Sequence, residues 1–170
     1  KLTIPMSGYF LLKLNQMKFS VESLLESEMT EEKLNYVMNI ERHSFNPPWS
    51  SSMFLEELTN PNSRCLVFSF FEKIVAFECF WIILDEAHLL NVAVTPEFRG
   101  LGIGIHMMRR LEDICAEKGV KRILLDVARR NDPARNLYKK AGFNSIGFRK
   151  RYYPAINDDA IVMEKWLSQN

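Results

Sequence analysis

The sequence predicts one mixed α/β domain, on three observations: its length, an alternation of strand-like and helix-like apolar spacing, and a strand–glycine turn–helix unit near its centre. A chain of 170 residues suits a single domain with a sizeable core. Short runs rich in Val, Ile and Phe alternate with segments whose apolar residues recur every three or four positions, giving the order β-α-α-β-β-β-α-β-α-β-β. No internal repeat, low-complexity stretch or linker interrupts that order.

Ser23 to Met29 reads as the first strand. Thr30 is placed to cap a helix, with Glu31 and Glu32 in the first turn where the dipole favours acids. Leu34, Val37, Met38 and Glu41 continue it at amphipathic spacing to about Phe45. After Asn46-Pro47-Pro48-Trp49, Ser50 caps a second short helix that closes at Asn60-Pro61-Asn62. Arg64 to Phe71 and Ile74 to Leu84 form a hairpin turned at Glu72-Lys73. The acidic turn Asp85-Glu86 leads into a strand from His88 to Val94, and a helix follows to about Glu117, ended by Gly119. Arg122 to Val127 is a buried strand. Asp132 as cap and Pro133 at the first position start a helix that stops at Gly142. Phe143 to Tyr152 and Ala160 to Trp166 are the last strands. Residues 1–19 are set apart as an N-terminal extension of unassigned role, with Tyr9 to Leu12 as a short strand or docking segment, and residues 20–170 form the domain.

Apolar residues make up 47% and charged residues 25%, ordinary for a globular domain, and a net charge of +1 gives no argument for nucleic acid or membrane partners. The charge is uneven, however. Between Pro96 and Tyr153 stand fourteen Lys or Arg against six Asp or Glu, a balance that fits a polyanionic ligand as well as a solvated face. Cys65, Cys79 and Cys115 lack metal spacing and fit reduced thiols in a cytoplasm. His43, His88 and His106 are scattered and read as structural, so no metal is expected. Cys65 to Leu84 is the most apolar stretch, but Glu72, Lys73 and Glu78 break it, which excludes a membrane span.

Asn91 to Leu111 carries the functional signal. Asn91-Val92-Ala93-Val94 is a short apolar strand, Arg99-Gly100-Leu101-Gly102-Ile103-Gly104 a glycine-rich turn, and Ile103, Met107, Met108 and Leu111 open a helix. The first N–H groups of a helix have no internal partner and its dipole favours anions, so this unit is suited to phosphate. Glycines needed for sterics alone are the plainer explanation. The nucleoside-triphosphate loop is excluded because no Gly-Lys-Ser/Thr is present, and the dinucleotide fingerprint because Met107 stands where its third glycine belongs.

The pattern that fits is R-x-x-G-x-G, as Arg99, Gly102 and Gly104 after an apolar strand. It resembles the acetyl-CoA loop of the GNAT superfamily of N-acetyltransferases. Asn131 to Phe143, NDPARNLYKKAGF, is similar to that superfamily's N-x-x-A-x-x-L-Y-x-x-x-G-F segment at every fixed position. The resemblance extends over residues 22–167. Ile40 to Phe45, Pro48-Trp49-Ser50, Leu84 to Val94, Arg149 to Pro154 and Asp158 to Met163 narrow it to the RimI type, which acetylates the N-terminal alanine of ribosomal protein S18.

That resemblance implies a GNAT fold, a central mixed and mostly antiparallel sheet of about seven strands flanked by about four helices. It also implies acetyl-CoA as co-substrate and the N-terminal segment of a protein as partner. Val92, Ala93 and Val94 would hold the thioester arm through their backbone. Arg99, Gly100, Leu101, Gly102, Ile103 and Gly104 would cradle the pyrophosphate. Asn131 would hydrogen-bond the cofactor, its rival role being the start of its helix. Asp126 stands where the family places a glutamate base, one methylene short, so a water relay to the amine is expected. A structural pairing with Arg122, Arg129 or Arg130 is the competing role. Tyr138 would protonate the departing thiolate. Phe45, Trp49, Tyr152 and Tyr153 are candidate walls for peptide, while Asp85 and Glu86 would attract a cationic segment or merely make a polar turn. A lysine or small-amine acetyltransferase is the alternative enzyme, and a non-catalytic acyl-CoA-binding module the alternative of another class.

Overall fold

A computed structural model describes residues 19–168, so the extension up to residue 18, including Tyr9 to Leu12, lies outside the described residues. Seven strands form one sheet: β1 (Leu24–Glu28), β2 (Ser63–Phe70), β3 (Lys73–Ile83), β4 (Glu86–Val94), β5 (Arg122–Ala128), β6 (Asn144–Tyr153) and β7 (Asp158–Trp166), in the order β1-β2-β3-β4-β5-β7-β6. Among the described residues only β4 and β5 pair in parallel. Four helices cover it: α1 (Leu34–Arg42), α2 (Ser51–Thr59), α3 (Ile103–Glu117) and α4 (Asp132–Lys140). This is the expected mixed, mostly antiparallel architecture.

Two apolar layers follow from strand alternation. On one face Ala76, Phe80, Ala87, Leu89, Ile123, Leu125 and Val127 meet Met107, Met108 and Leu111 of α3 and Tyr138 of α4. Phe19 belongs to this layer, edge-on to Phe70 and Phe98. On the other face Val67, Phe77, Cys79 and Ala93 pack against Val37 and Ile40 of α1 and Phe54 of α2. Such burial is worth about 1.5–3 kcal/mol for each large side chain.

A bulge in β4 changes which face its residues serve. The register with β3 jumps from Cys79–Asn91 to Phe80–Leu89, leaving Leu90 without an opposite residue. Ala87 and Leu89 therefore face α3, whereas Ala93, an even number of positions on, faces α1 and α2.

Local boundaries differ from the expected ones at defined places. Thr30 makes no side-chain cap; a 3-10 turn, Glu31–Lys33, intervenes and α1 begins at Leu34. Ser50 does cap α2, accepting from Met53 N at 3.3 Å. Asn131, not Asp132, caps α4 by accepting from Ala134 N at 3.2 Å, and Asp132 instead pairs with Arg135 at 2.9 Å. The hairpin turns fall one residue earlier than expected, at Phe71-Glu72 and Leu84-Asp85, with Phe71 and Leu84 at φ 53° and 56°. Gly119 and Gly142 end α3 and α4 at φ 73° and 89°, a backbone region that glycine enters without steric cost.

Candidate active site

The β4–β5 ladder has only four rungs, from Glu86–Arg122 to Leu89–Leu125. Both strands continue beyond it, β4 through Leu90 to Val94 and β5 through Asp126 to Ala128, without pairing to each other. The sheet thus opens at the bulge. The facing edges leave backbone groups outside the ladder, because β4 pairs there with β3 and β5 with β7, although Val94 O and Asp126 O each accept from a side chain, Arg99 and Tyr153. Val92, Ala93 and Val94 lie on one lip of this gap.

At the end of that lip stands the glycine turn. Gly100 and Gly102 have φ of 78° and 87°, and a Cβ built on Gly100 would meet nothing within 4 Å, so the turn is open to a ligand. Gly104 differs: a Cβ there would approach Leu137 to 3.0 Å, so this glycine permits α3 to lie against α4. The first donor inside α3 is His106 N, to Gly102 O at 3.1 Å. The N–H groups before it project from the first turn of a 15-residue helix, which fits a phosphate group. The Arg99 guanidinium is used by the protein, donating from Nε to Val94 O (2.9 Å) and from an Nη to Ser44 Oγ (3.0 Å).

On the α1–α2 side of the gap a cleft of about 290 Å³ is lined by Trp49, His88, Leu90, Asp126, Arg149, Tyr152 and Tyr153, among others. Asp126 points into it because Leu125 and Val127, its neighbours on β5, take the core face. The expected burial of β5 on both faces is thereby corrected to one buried face and one that borders the cleft. Arg149 Nε stands 3.3 Å from Asp126 Oδ1 as an ion pair without hydrogen-bond geometry, and among the described residues that oxygen has no hydrogen-bond partner. Arg122, Arg129 and Arg130 are engaged elsewhere: Arg122 with Glu86 and Glu164, Arg129 with Asp159 at 3.8 Å, Arg130 with Asp158 at 3.8 Å. The Arg149 guanidinium also lies 5.4 Å from the Tyr152 ring centroid. Tyr153 donates its hydroxyl to Asp126 O at 3.2 Å, and burial, then Asp126, pushes its phenol up to about 12.

Tyr138 lies in the α3–α4 layer, 6% exposed, its ring edge-on to Phe143. Burial pushes its phenol well above the ordinary tyrosine value, so it carries its proton at neutral pH. Trp49, Tyr152, Tyr153 and Asp126 are brought together. Phe45 is not: it packs on the α1–α2 layer, outside the cleft lining. Asp85 and Glu86 sit at the far end of β4 from the glycine turn, where Asp85 pairs with Lys121 at 3.0 Å and Glu86 with Arg122 and His88. The polar-turn role is the one that geometry fits. Asn131 uses its Oδ1 to start α4, which leaves its amide NH2 for a ligand.

Three contributors escape the sequence reading. Arg149 is hidden in the charge run Arg149-Lys150-Arg151. The Leu90 bulge has no sequence signature. Glu41 did leave a signal, an acid at the i+7 position of the apolar stripe begun by Leu34. Its carboxylate is fully buried; Oε1 accepts from Trp49 N at 2.7 Å and Oε2 from Asn91 Nδ2 at 3.1 Å. Burial raises its pKa above the usual glutamate value, and the two hydrogen bonds partly oppose that. Among the described residues no group of three His, Cys, Asp or Glu could hold a metal ion, and no helix is long and apolar enough to cross a membrane.

A sheet that parts beside a glycine turn with free helix N–H groups, with a carboxylate and aromatics across the gap, suits the transfer of a group from an anionic donor to a second substrate. The profile of the acetyltransferase (GNAT) family matches residues 34–143. A Bacillus subtilis (strain 168) relative is 36% identical over 143 residues, 84% of this chain and 93% of that one. The ribosomal protein bS18-alanine N-acetyltransferase of Escherichia coli (strain K12) is 34% identical over 140 residues, 80% of this chain and 91% of its own. The crystal structure of the Escherichia coli ribosomal-protein-S18-alanine N-acetyltransferase superposes with a TM-score of 0.78 at 30% identity, covering 86% of this chain and 96% of that one. Ard1 from Thermoplasma volcanium, at 23% identity and a TM-score of 0.80, shares the fold. The chain belongs to the acetyltransferase (GNAT) family and is an acyltransferase.

Proposed function

We propose that this protein transfers the acetyl group of acetyl-CoA to the α-amine of a protein N-terminus, with the N-terminal alanine of ribosomal protein S18 as its substrate. The observation that carries this reading is the opening of the sheet beyond Leu89–Leu125. It gives two approaches to one gap, a glycine turn on one side and the Trp49–Asp126–Tyr152–Tyr153 cleft on the other. Relatives named for that activity, matching along nine-tenths of their own length, support the choice of substrate. Three free, buried cysteines fit a reducing cytoplasm.

In the proposed site the N–H groups from Gly100 to Gly104 bind the pyrophosphate. The Val92 to Val94 backbone holds the thioester arm and polarises its carbonyl. The amine enters through the cleft and gives a proton to Asp126, directly or through one water. A carbon–nitrogen bond then forms as the carbon–sulfur bond breaks, and the Tyr138 phenol delivers its proton to the departing sulfur. The proton taken up by Asp126 leaves to solvent in the cleft, and the phenol is restored by a proton from solvent. Asp126 can be a modest base because a peptide α-amine has a pKa of ~7.7–8.0, against ~10.4 for lysine. Trp49, Tyr152 and Tyr153 wall the peptide, and Asn131 contacts the cofactor through its free amide.

The test is thiol release from acetyl-CoA with a panel of peptides differing in their first residue, beside a peptide whose only amine is lysine, and spermidine. Turnover should be greatest with an N-terminal alanine and an S18-like sequence. Preference for lysine or spermidine would establish the alternative enzyme class, and cofactor binding without turnover of any amine would establish a binding module. Tyr138→Phe should lower kcat by about a hundredfold at unchanged acetyl-CoA affinity.

A further inference from the structure

The last turn of α1 touches both halves of the site without lining either reacting centre. Glu41 is wholly buried, and among the described residues its carboxyl oxygens accept from two donors: the Trp49 N–H at 2.7 Å and the Asn91 amide at 3.1 Å. Trp49 is a wall of the peptide cleft, whereas Asn91 is the first residue of β4 after the bulge, one before Val92. Ser44, three residues beyond Glu41, accepts from Arg99 at 3.0 Å, and Arg99 in turn binds Val94 O at 2.9 Å. The same turn is closed on itself by Ser44 N and Phe45 N, both donating to Glu41 O at 2.9 and 3.0 Å. One helix end therefore fastens the peptide wall, the thioester strand and the glycine turn to one another.

We infer that Glu41 is a positioning residue for the acyl acceptor: its carboxylate fixes the α1–α2 loop, and with it Trp49, relative to the strand that presents the acetyl group. Ser44 makes the matching tie to the cofactor turn through Arg99. The inference deepens the acetyl-transfer reading and rests on it. The physical case is that the Trp49 ring packs on Phe54, with centroids 5.3 Å apart, while no helix or strand ladder sets the loop's backbone. Between Arg42 and Ser51 the chain has no α-helix or strand, and its Trp49 N–H is anchored by the buried acid, whose other oxygen is held by Asn91. Displacing a substrate-positioning group by about 1 Å can cost about a hundredfold in rate.

The hydrogen-bond pattern gives a reciprocal test. Asn91→Asp replaces the donor by a second carboxylate facing Glu41. Combining it with Glu41→Gln restores both bonds, since the new amide's oxygen accepts from Trp49 N–H and its NH2 donates to the new carboxylate. Steady-state kinetics with an alanine-initiated peptide, acetyl-CoA binding by calorimetry and thermal melting are measured for each variant. Asn91→Asp should raise the peptide KM about tenfold or more while acetyl-CoA affinity stays within about twofold, and the double variant should return KM close to wild type. Ser44→Ala should show the opposite split, weaker acetyl-CoA binding at an unchanged peptide KM. If Asn91→Asp does not fold, a folded double variant with wild-type KM still supports the pairing. The inference is overturned if the peptide KM does not rise, if both constants worsen together without rescue, or if the double variant fails to fold. Failure of the acetyl-transfer reading looks different: there the wild-type protein turns over no N-terminal peptide at all.

Discussion

As the proposed base, Asp126 would meet a limited demand, and that limit can be measured. About a tenth of a peptide α-amine is neutral at pH 7, so a base that only removes its proton contributes at most about tenfold there, and about twofold near pH 8. Asp126→Asn should therefore lose about tenfold in kcat/KM at pH 7 and about twofold at pH 8 in a rate–pH profile. A loss constant across that range would assign the carboxylate to Arg149 and to structure alone. Glu78 is the other informative acid. It sits on the α3 face of β3, between Ala76 and Phe80, fully buried, and among the described residues neither of its oxygens has a hydrogen-bond partner. Burial pushes its carboxyl well above the usual range, with Glu26 adding to the rise and Arg110 opposing it. The folded chain must then keep a proton that the unfolded chain releases above about pH 4.3. That stability is complete below this value and is lost as pH rises towards the raised folded pKa, with a limiting slope of about 1.4 kcal/mol per pH unit. Glu78→Met removes an unpaired group that costs about 1–3 kcal/mol, at a gain of roughly 2–4 °C in Tm per kcal/mol. Melting curves should show a larger gain at pH 8 than at pH 5, and an equal gain at both would refute the buried-proton account.

Elements show where sequence spacing is decisive and where tertiary context overrides it. Leu84 occupies a hairpin turn at φ 56° with its side chain 92% exposed, so it accepts left-handed strain and gains no burial in return. Left-handed backbone costs an ordinary residue about 1–2 kcal/mol, and asparagine tolerates it better. Leu84→Asn should accordingly raise Tm by about 1–3 °C in a calorimetric scan, and a fall would mean that the leucine makes a contact of its own. The same strain explains why both hairpins were read one residue late: Phe71 and Leu84 have strand chemistry, and nothing local marks them as turns. Order and type of all eleven elements were legible because apolar spacing is a property of each segment alone. The Ser50 cap and the Gly119 and Gly142 stops were legible for the same reason. Thr30 and Asp132 failed as caps because a competing local geometry, a 3-10 turn and the neighbouring Asn131, satisfied the helix first. The bulge at Leu90 was invisible, since it depends on the register with β3. So was the Asp126–Arg149 pair, which joins strands 23 residues apart in sequence.

At the scale of the molecule the one sheet has two halves joined by four rungs, β1 to β4 on one side and β5 to β7 on the other. The α3–α4 layer spans the join on one face, with Gly104 letting Leu137 of α4 approach α3. On the opposite face the join is bordered by the cleft that Trp49, Leu90, Asp126 and Tyr153 line. In the proposed binding mode a ligand lying in the gap takes the place of the missing rungs, binding the turn and β4 on one side and β5 on the other. Acetyl-CoA at a hundred times its dissociation constant should add about 2.7 kcal/mol of stability, which for a domain of this size raises Tm by roughly 5–11 °C. Hydrogen exchange should slow at Leu90 to Val94, Gly100 to Ile105 and Asp126 to Ala128. It should leave β1 unchanged, because that strand lies at the far edge of the sheet and pairs only with β2. Controls without the arm, such as 3′-phosphoadenosine 5′-diphosphate, carry the phosphates and lack the pantetheine, so they should protect the turn without protecting Asp126 to Ala128. Protection spread evenly over the whole sheet would mean that the ligand acts by general stabilisation and that the gap is not where it lies.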